Sequence, residues 1–292
     1  VTAEPSPARA GRGLLRAGGL IVAVVALCAV LGPAVVPVEP TFAGDEVSAP
    51  PPSLADWPRL LWASWTGVHP GPVHWFGTDS AGLDVFSRTV VAARTDLTVA
   101  VSATLVSLGF GLLLGLWAGF SRSRASGLLL RAADLVQSFP VFITAMILVA
   151  LAGRTTGNLV LAMALLYTPI FIRLTRVEVA SHRDRGYVEA ARVLGSPEWR
   201  TALVHVLPNS LGPALIQTSV TVGFAILLTA GLSFVGAGVR PPTPEWGLMI
   251  ANGASQIVLG EWWPTVFPGI AISLTVFGFA ALGGALEQRH GA

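Results

Sequence analysis

Apolar residues in this chain gather into six runs, separated by stretches that are polar, arginine-bearing or rich in proline and glycine. The runs cover residues 18–36, 97–120, 128–152, 159–174, 211–235 and 263–286. Most approach the roughly 20 residues that carry a helix across a hydrocarbon core. A lone segment can satisfy every backbone donor and acceptor in lipid only as a helix. The pattern therefore predicts an all-α polytopic membrane protein with six transmembrane helices. The fourth run is the shortest and holds Pro169 near its end, which neighbouring helices can accommodate. Arg9, Arg12 and Arg16 precede the first run, as in a secretory signal. That run exceeds the usual ~7–15 apolar residues of such a signal, and bulky Leu27 stands before Cys28 where a lipoprotein cleavage site wants a small residue. It reads as an uncleaved first helix.

Composition sharpens the picture. Hydrophobic residues make up 53% of the 292 and charged residues only 12%, against roughly 25% charged in soluble domains. A soluble enzyme, a disordered chain and a disulfide scaffold are excluded; Cys28 is the single cysteine. All 18 basic residues are arginine. A Walker A loop needs a lysine to reach the β/γ-phosphates, so this chain is no P-loop ATPase, and ATP-driven work must come from a partner. The net charge of +2 does not point to nucleic acid, because the arginines flank apolar runs. They are also asymmetric. Five (Arg59, Arg88, Arg94, Arg154 and Arg240) fall in one set of alternate loops, and the other 13 fall in the opposite set with the termini. The excess of arginine predicts cytoplasmic N- and C-termini. The expected layout is a cytoplasmic tail (1–17), a first helix (18–36), an external loop (37–96), a five-helix core (97–286) with a cytoplasmic loop at 175–210, and a cytoplasmic tail (287–292).

The loop at 175–210 is the most informative stretch. Residues 183–194 favour helix, and Gly195 suits the position after a helix end, where positive φ is needed. Ser196 would cap a second helix with Pro197 at its first position and Glu198 in its first turn; Pro208 would end it. Glu189, Ala190 and Ala191, then Gly195, then His205, Val206, Leu207 and Pro208 resemble the EAA loop of bacterial ABC importer permeases. The resemblance implies a coupling helix that docks in a cleft on an ATPase subunit, with Glu189, Ala190, Ala191, Gly195, His205, Leu207 and Pro208 carrying the contact. It also implies a type I importer bundle.

Further residues resemble the dipeptide and oligopeptide group, which also contains nickel permeases. Phe76, Gly77, Thr78 and Asp79 before the second run, Leu232 to Gly247 leaving the fifth, and Phe267, Pro268 and Gly269 in the sixth carry that likeness to a C-type subunit. The departures from the group's pattern are Leu83, Thr229, Ala280 and Gly284. The implied function is a permease subunit of an ATP-driven peptide importer in the cytoplasmic membrane, with nickel or another small solute as the alternative cargo. Its implied partners are a second permease, two ATPase subunits holding ATP and Mg, and an external binding protein. No cofactor and no catalytic residue is expected on this chain.

Other features carry two readings each. Gly111, Gly115 and Gly119 recur every four residues, a spacing that lets helix backbones approach, within the subunit or between subunits, or that marks a hinge. Arg131 and Asp134 stand three apart and can pair, as a structural tie, or serve as a gate or substrate contact. Asp79 and Asp84 can order the external turn or touch a docked binding protein. The five histidines have no metal-ligand spacing. An intramembrane hydrolase would need a nucleophile and base within the runs, which are absent, and a proton-driven carrier would need buried acids there, a condition only Asp134 approaches.

Overall fold

A computed structural model describes residues 7–66, 73–121 and 123–290. His69 and Arg122, and parts of the expected terminal tails, lie outside these. The helices are α1 (Pro7–Val35), α2 (Trp57–Thr66), α3 (Val85–Phe120), α4 (Arg124–Ser138), α5 (Val141–Ala152), α6 (Thr156–His182), α7 (Gly186–Val193), α8 (Glu198–Arg200), α9 (Leu207–Asn209), α10 (Gly212–Phe234), α11 (Trp246–Ala254) and α12 (Trp263–His290). Among the described residues no strand forms, only isolated bridges of Ala43 with Leu83 and Thr78 with Asp84.

Five helices, α1, α3, α6, α10 and α12, are long and apolar enough to cross a membrane. The sixth apolar run folds as the pair α4 and α5, bent by 93°, with the geometry of a broken span or a re-entrant loop. The break corrects the continuous helix expected over 128–152. Its cause is local: Pro140 has no N–H to give the preceding turn, and its ring drives Phe139 out of the helical region to φ −92°, ψ 145°. A second correction concerns α3, which starts at Val85, 12 residues before the expected 97. Asp84 caps it by accepting the Ser87 N–H at 2.7 Å. Its 36 residues extend about 54 Å, so it outruns a ~30 Å hydrocarbon core. The fourth span is also longer than expected, since α6 continues through Pro169 to His182. The segment at 175–210 therefore begins as rigid helix, and α1 likewise absorbs much of the expected N-terminal tail.

The core is built from close helix approaches. A Cβ on Gly111 would overlap Phe171, one on Gly115 would lie 2.7 Å from Thr175 Cβ, and one on Gly119 would lie 2.8 Å from the Arg176 carbonyl. All three glycines thus face α6, and the α3–α6 pair forms the spine of the subunit. Gly18 and Gly278 bring α1 onto α12 in the same way, with 2.8 Å from a Gly18 Cβ to the Gly278 carbonyl. Helix α10 packs on both α12 and α3.

The segment before α3 is clasped to the start of α12. Trp263 donates its indole N–H to the Thr78 carbonyl at 2.8 Å, and Phe76 stacks on Phe267 at 3.9 Å. Asp79 Oδ1 accepts the Ala81 and Leu83 N–H groups, each at 2.9 Å, while Asp84 Oδ1 meets His74 Nδ1 at 2.7 Å. Arg88 is buried and reaches the Pro40 carbonyl at 2.9 Å. The Phe76 to Asp79 segment and Asp84 therefore order this end of the bundle.

Candidate functional site

At the opposite end of α3, α7 leads through a tight turn into a second helical segment. The turn is a Schellman motif: Gly195 N–H donates to Arg192 O at 2.9 Å and Ser196 N–H to Ala191 O at 3.0 Å. Gly195 sits at φ +80°, where a side chain would be strained. The second segment starts one residue later than the sequence suggested. Pro197 is its cap, with φ −65° and ψ 146°, and Ser196 instead accepts the Thr201 hydroxyl at 3.1 Å. Between α8 and α9 the chain widens into a π-helical turn over Thr201–Val206. Helix continues from Leu207 through Pro208 to Asn209, one residue past the proline expected to end it, and the carbonyls there find side-chain donors: Asn209 Nδ2 bonds His205 O at 2.7 Å and Ser210 Oγ bonds Val206 O at 2.9 Å.

This elbow is seated, not floating. Val188 from α7 and Ala202 and Val206 from the π-helical turn bury themselves against Leu116 of α3 and Val179 of α6. Arg183 donates to the Gly119 carbonyl at 3.2 Å, and the Arg192 guanidinium lies 5.6 Å from the centre of the Phe120 ring. Outside that seat, the elbow presents apolar residues to its surroundings: Val193 is 83% exposed, Leu194 86% and Trp199 67%. Glu189, Ala190, His205 and Pro208 are exposed, Ala191 and Leu207 half-buried. A cavity of about 990 Å³ opens beside this rim, between the end of α3 and the elbow, lined by Trp117, Phe120, Arg183, Arg192, Glu198 and Trp199 among others.

The charge pair expected between Arg131 and Asp134 is replaced. Asp134 on α4 pairs with Arg173 on α6, 39 positions away, and both side chains are substantially exposed. Sequence spacing finds partners within one helix; the bend brings α4 against α6 and supplies a partner that spacing does not show. Nearby, α5, α6 and α10 enclose a cavity of about 520 Å³ lined by Phe142, Tyr167, Ile170, Gln217, Thr221 and Phe224 among others. Gln217 and Thr221 are one helical turn apart on α10 and bonded at 3.3 Å. Polar groups at such a depth mark a face that meets water or protein, not lipid.

One feature has no counterpart in the expectations. Asp96, placed there outside the second span, lies within α3 at 0% exposure, beside Glu245, also at 0%. Asp96 Oδ2 accepts the Trp246 N–H at 3.1 Å; Glu245 caps α11 by accepting the Gly247 and Leu248 N–H groups at 3.0 and 2.7 Å. Burial pushes the Glu245 carboxyl above its usual value, against the pull of Asp96, the Leu248 and Gly247 N–H groups and the Ser233 hydroxyl. The view that Asp134 alone approaches a buried acid is thereby corrected. A signal was available: Val85, Ala92, Asp96, Val99 and Ala103 share one helical stripe. Among the departures, Thr229 is buried and donates to the Ala225 carbonyl at 2.8 Å. Leu83 pairs with Ala43, Ala280 is exposed, and Gly284 faces open space.

Comparison with known proteins agrees with this architecture. The family described as "Binding-protein-dependent transport system inner membrane component" matches residues 111–291, more than half of the chain. The probable D,D-dipeptide transport system permease protein of Escherichia coli K12 is 38% identical over 242 residues, 78% of this chain and 81% of that protein. The di/tripeptide transport system permease protein of Pseudomonas aeruginosa UCBPP-PA14 is 36% identical over 272 residues, 93% of this chain and 86% of that protein. The glutathione transport system permease protein of Pectobacterium atrosepticum is 36% identical over 219 residues, covering 75% and 72%. These relatives are transport permease subunits and not enzymes. With its bundle of apolar helices and its match across the elbow, the chain belongs to the inner-membrane permease components of binding-protein-dependent transport systems.

Proposed function

We propose that this chain is one permease subunit of an ATP-driven importer that moves small peptides across the cytoplasmic membrane. It works with a second permease, two ATPase subunits that bind ATP and Mg, and an external binding protein. The carrying observation is the elbow at α7–α9, whose apolar rim of Val193, Leu194 and Trp199 stands exposed on a rigid seat. Such a rim in water is unfavourable by about 1.5–3 kcal/mol per large side chain relative to burial, so it suits a partner surface. In this reading the ATPase covers the rim, and Glu189, Ala190, Ala191, Gly195, His205, Leu207 and Pro208 shape the docking helix pair. Both termini and the elbow face the cytoplasm. The peptide cargo follows the dipeptide and tripeptide transport for which the relatives are named.

Force applied at the elbow passes into the seat formed by α3 and α6, and the close-packed glycine stripe transmits it as a rigid-body tilt. Rocking of packed bundles about a central site gives alternating access. The cavity with Tyr167, Gln217 and Thr221 is the segment of the path contributed by this subunit, completed by the second permease.

The test is a Val193→Ser and Leu194→Ser double variant in the reconstituted importer. Expected is loss of ATPase association and of dipeptide uptake, with an unchanged unfolding midpoint. Normal association would sink the docking assignment. Uptake of nickel in place of dipeptides and tripeptides would overturn the cargo.

A further inference from the structure

We propose that Asp96 and Glu245 form a buried proton-binding site, in which one proton held between the two carboxyls clamps the start of α11 to α3. Ionised carboxylates only accept hydrogen bonds. Both oxygens of Glu245 already accept N–H groups of α11, and Asp96 Oδ2 accepts that of Trp246. Asp96 Oδ1 has no hydrogen-bond partner, and the N–H that Oδ2 accepts belongs to Trp246, the residue next to Glu245, so the two buried carboxyls adjoin. Two acceptors in contact need a hydrogen between them, and the Asp96 oxygen is the one free to carry it. A second buried polar group, the Ser233 hydroxyl, is 1% exposed and has no hydrogen-bond partner.

No ion pair joins a cation to either carboxyl among the described residues; half-buried Arg154 donates to the carbonyl of Gly238, which packs on Ser233, at 3.4 Å. Helices α10 and α11 carry no titratable side chain, and Glu287, Arg289 and His290 stand at the far end of α12. On α3, Arg88 is turned to the Pro40 carbonyl and Arg94 is exposed; Arg240 in the connecting loop is exposed too, and Glu261 accepts from Ser48 at 2.8 Å. Two bare carboxylates, each 0% exposed, would then adjoin without a counter-charge, which a buried site does not tolerate. The two adjoining carboxyls therefore titrate as a unit that shares one proton.

The clamp joins elements that are otherwise held by few polar contacts. Trp246 also donates its indole N–H to the Thr89 carbonyl at 2.8 Å, and Gly247 packs directly on the Ala230 backbone. Losing the proton would place like charges at the root of α11 and loosen its hold on α3. Because retention of the proton is specific to the folded protein, the clamp's contribution is fully present below the ordinary carboxylate range. It is lost as rising pH removes that proton.

The test compares the full chain with its Asp96→Asn variant in lipid nanodiscs between about pH 5 and pH 9. The amide supplies a permanent hydrogen to Glu245. Expected is an unfolding midpoint that falls with rising pH in the native chain and is flatter in Asp96→Asn, and an infrared carbonyl band of a buried neutral carboxylic acid that the variant lacks. Should Asp96→Asn fail to fold, the native chain's infrared band at neutral pH decides alone. Absence of that band overturns the proposal, and so does a native midpoint that depends on sodium at fixed pH, which would assign the site to a metal cation. Equal pH slopes in the two proteins overturn it as well.

Discussion

At the scale of single residues, two glycines in one helix separate packing from mere presence. Gly109 and Gly111 are neighbours on α3, yet a Cβ at Gly109 meets nothing within 4 Å while one at Gly111 would overlap Phe171. Gly109→Ala should therefore be neutral or stabilising by up to about 1 kcal/mol, the helix cost of glycine recovered. Gly111→Ala should cost about 1–3 kcal/mol or more, since α3 and α6 must part along their spine. Unfolding midpoints of the two variants in detergent check this; equal values would refute the close approach. The four-residue spacing of Gly111, Gly115 and Gly119 made the stripe legible in the sequence. Its partner was not legible, because a repeat within one helix says nothing of which helix it meets. Gly195 was readable in full, since a glycine after a helical stretch has a local reason to adopt positive φ. The carboxyl pair escaped notice for the opposite reason: Asp96 and Glu245 lie 149 positions apart, and each alone looks like a loop or helix-end charge.

Among elements, the spans were recovered by apolar length, and the misreadings occurred where a single residue overrides that average. A window over 128–152 sees hydrophobicity on both sides of Pro140 and no reason to break. The chain breaks there because the proline withholds a donor and forces Phe139 extended. Conversely, Arg88, Arg94 and Asp96 made the stretch before residue 97 look polar, though Arg88 and Asp96 are buried by partners outside the helix. The α4–α5 bend creates the Asp134–Arg173 tie, and its expected strength follows from exposure. With both side chains substantially open to their surroundings, removal of either charge should cost no more than about 1 kcal/mol. A double-mutant cycle of Asp134→Asn and Arg173→Gln should give a coupling energy of about 0.2–1 kcal/mol. A coupling of several kcal/mol would mean that the pair is desolvated in the assembled complex, buried under a second subunit.

Across the whole molecule, α3 sets the geometry, because it joins the two functional ends. The clasp of Asp79, Asp84 and Trp263 gathers around its beginning, and the elbow rests on Leu116 and Phe120 at its end, about 54 Å of helix away. If arginine asymmetry orients the chain, the clasp must face outward and the elbow inward. The four turns of α3 in excess of a hydrocarbon core are then spent on the outer side, where Asp84 and Arg88 hold the external segment. This arrangement predicts the outcome of labelling single cysteines in intact cells with a reagent that cannot cross the membrane. In a Cys28→Ala background, Glu46→Cys is exposed beside the clasp and should react from outside. Arg200→Cys is exposed on the elbow and should react only after the cells are opened. The reverse pattern would turn the elbow away from the compartment that holds ATP, and the docking assignment would fall with it. Reaction of both sites from outside would break the assignment in another way, since two exposed positions at opposite ends of a membrane-crossing helix cannot share a side.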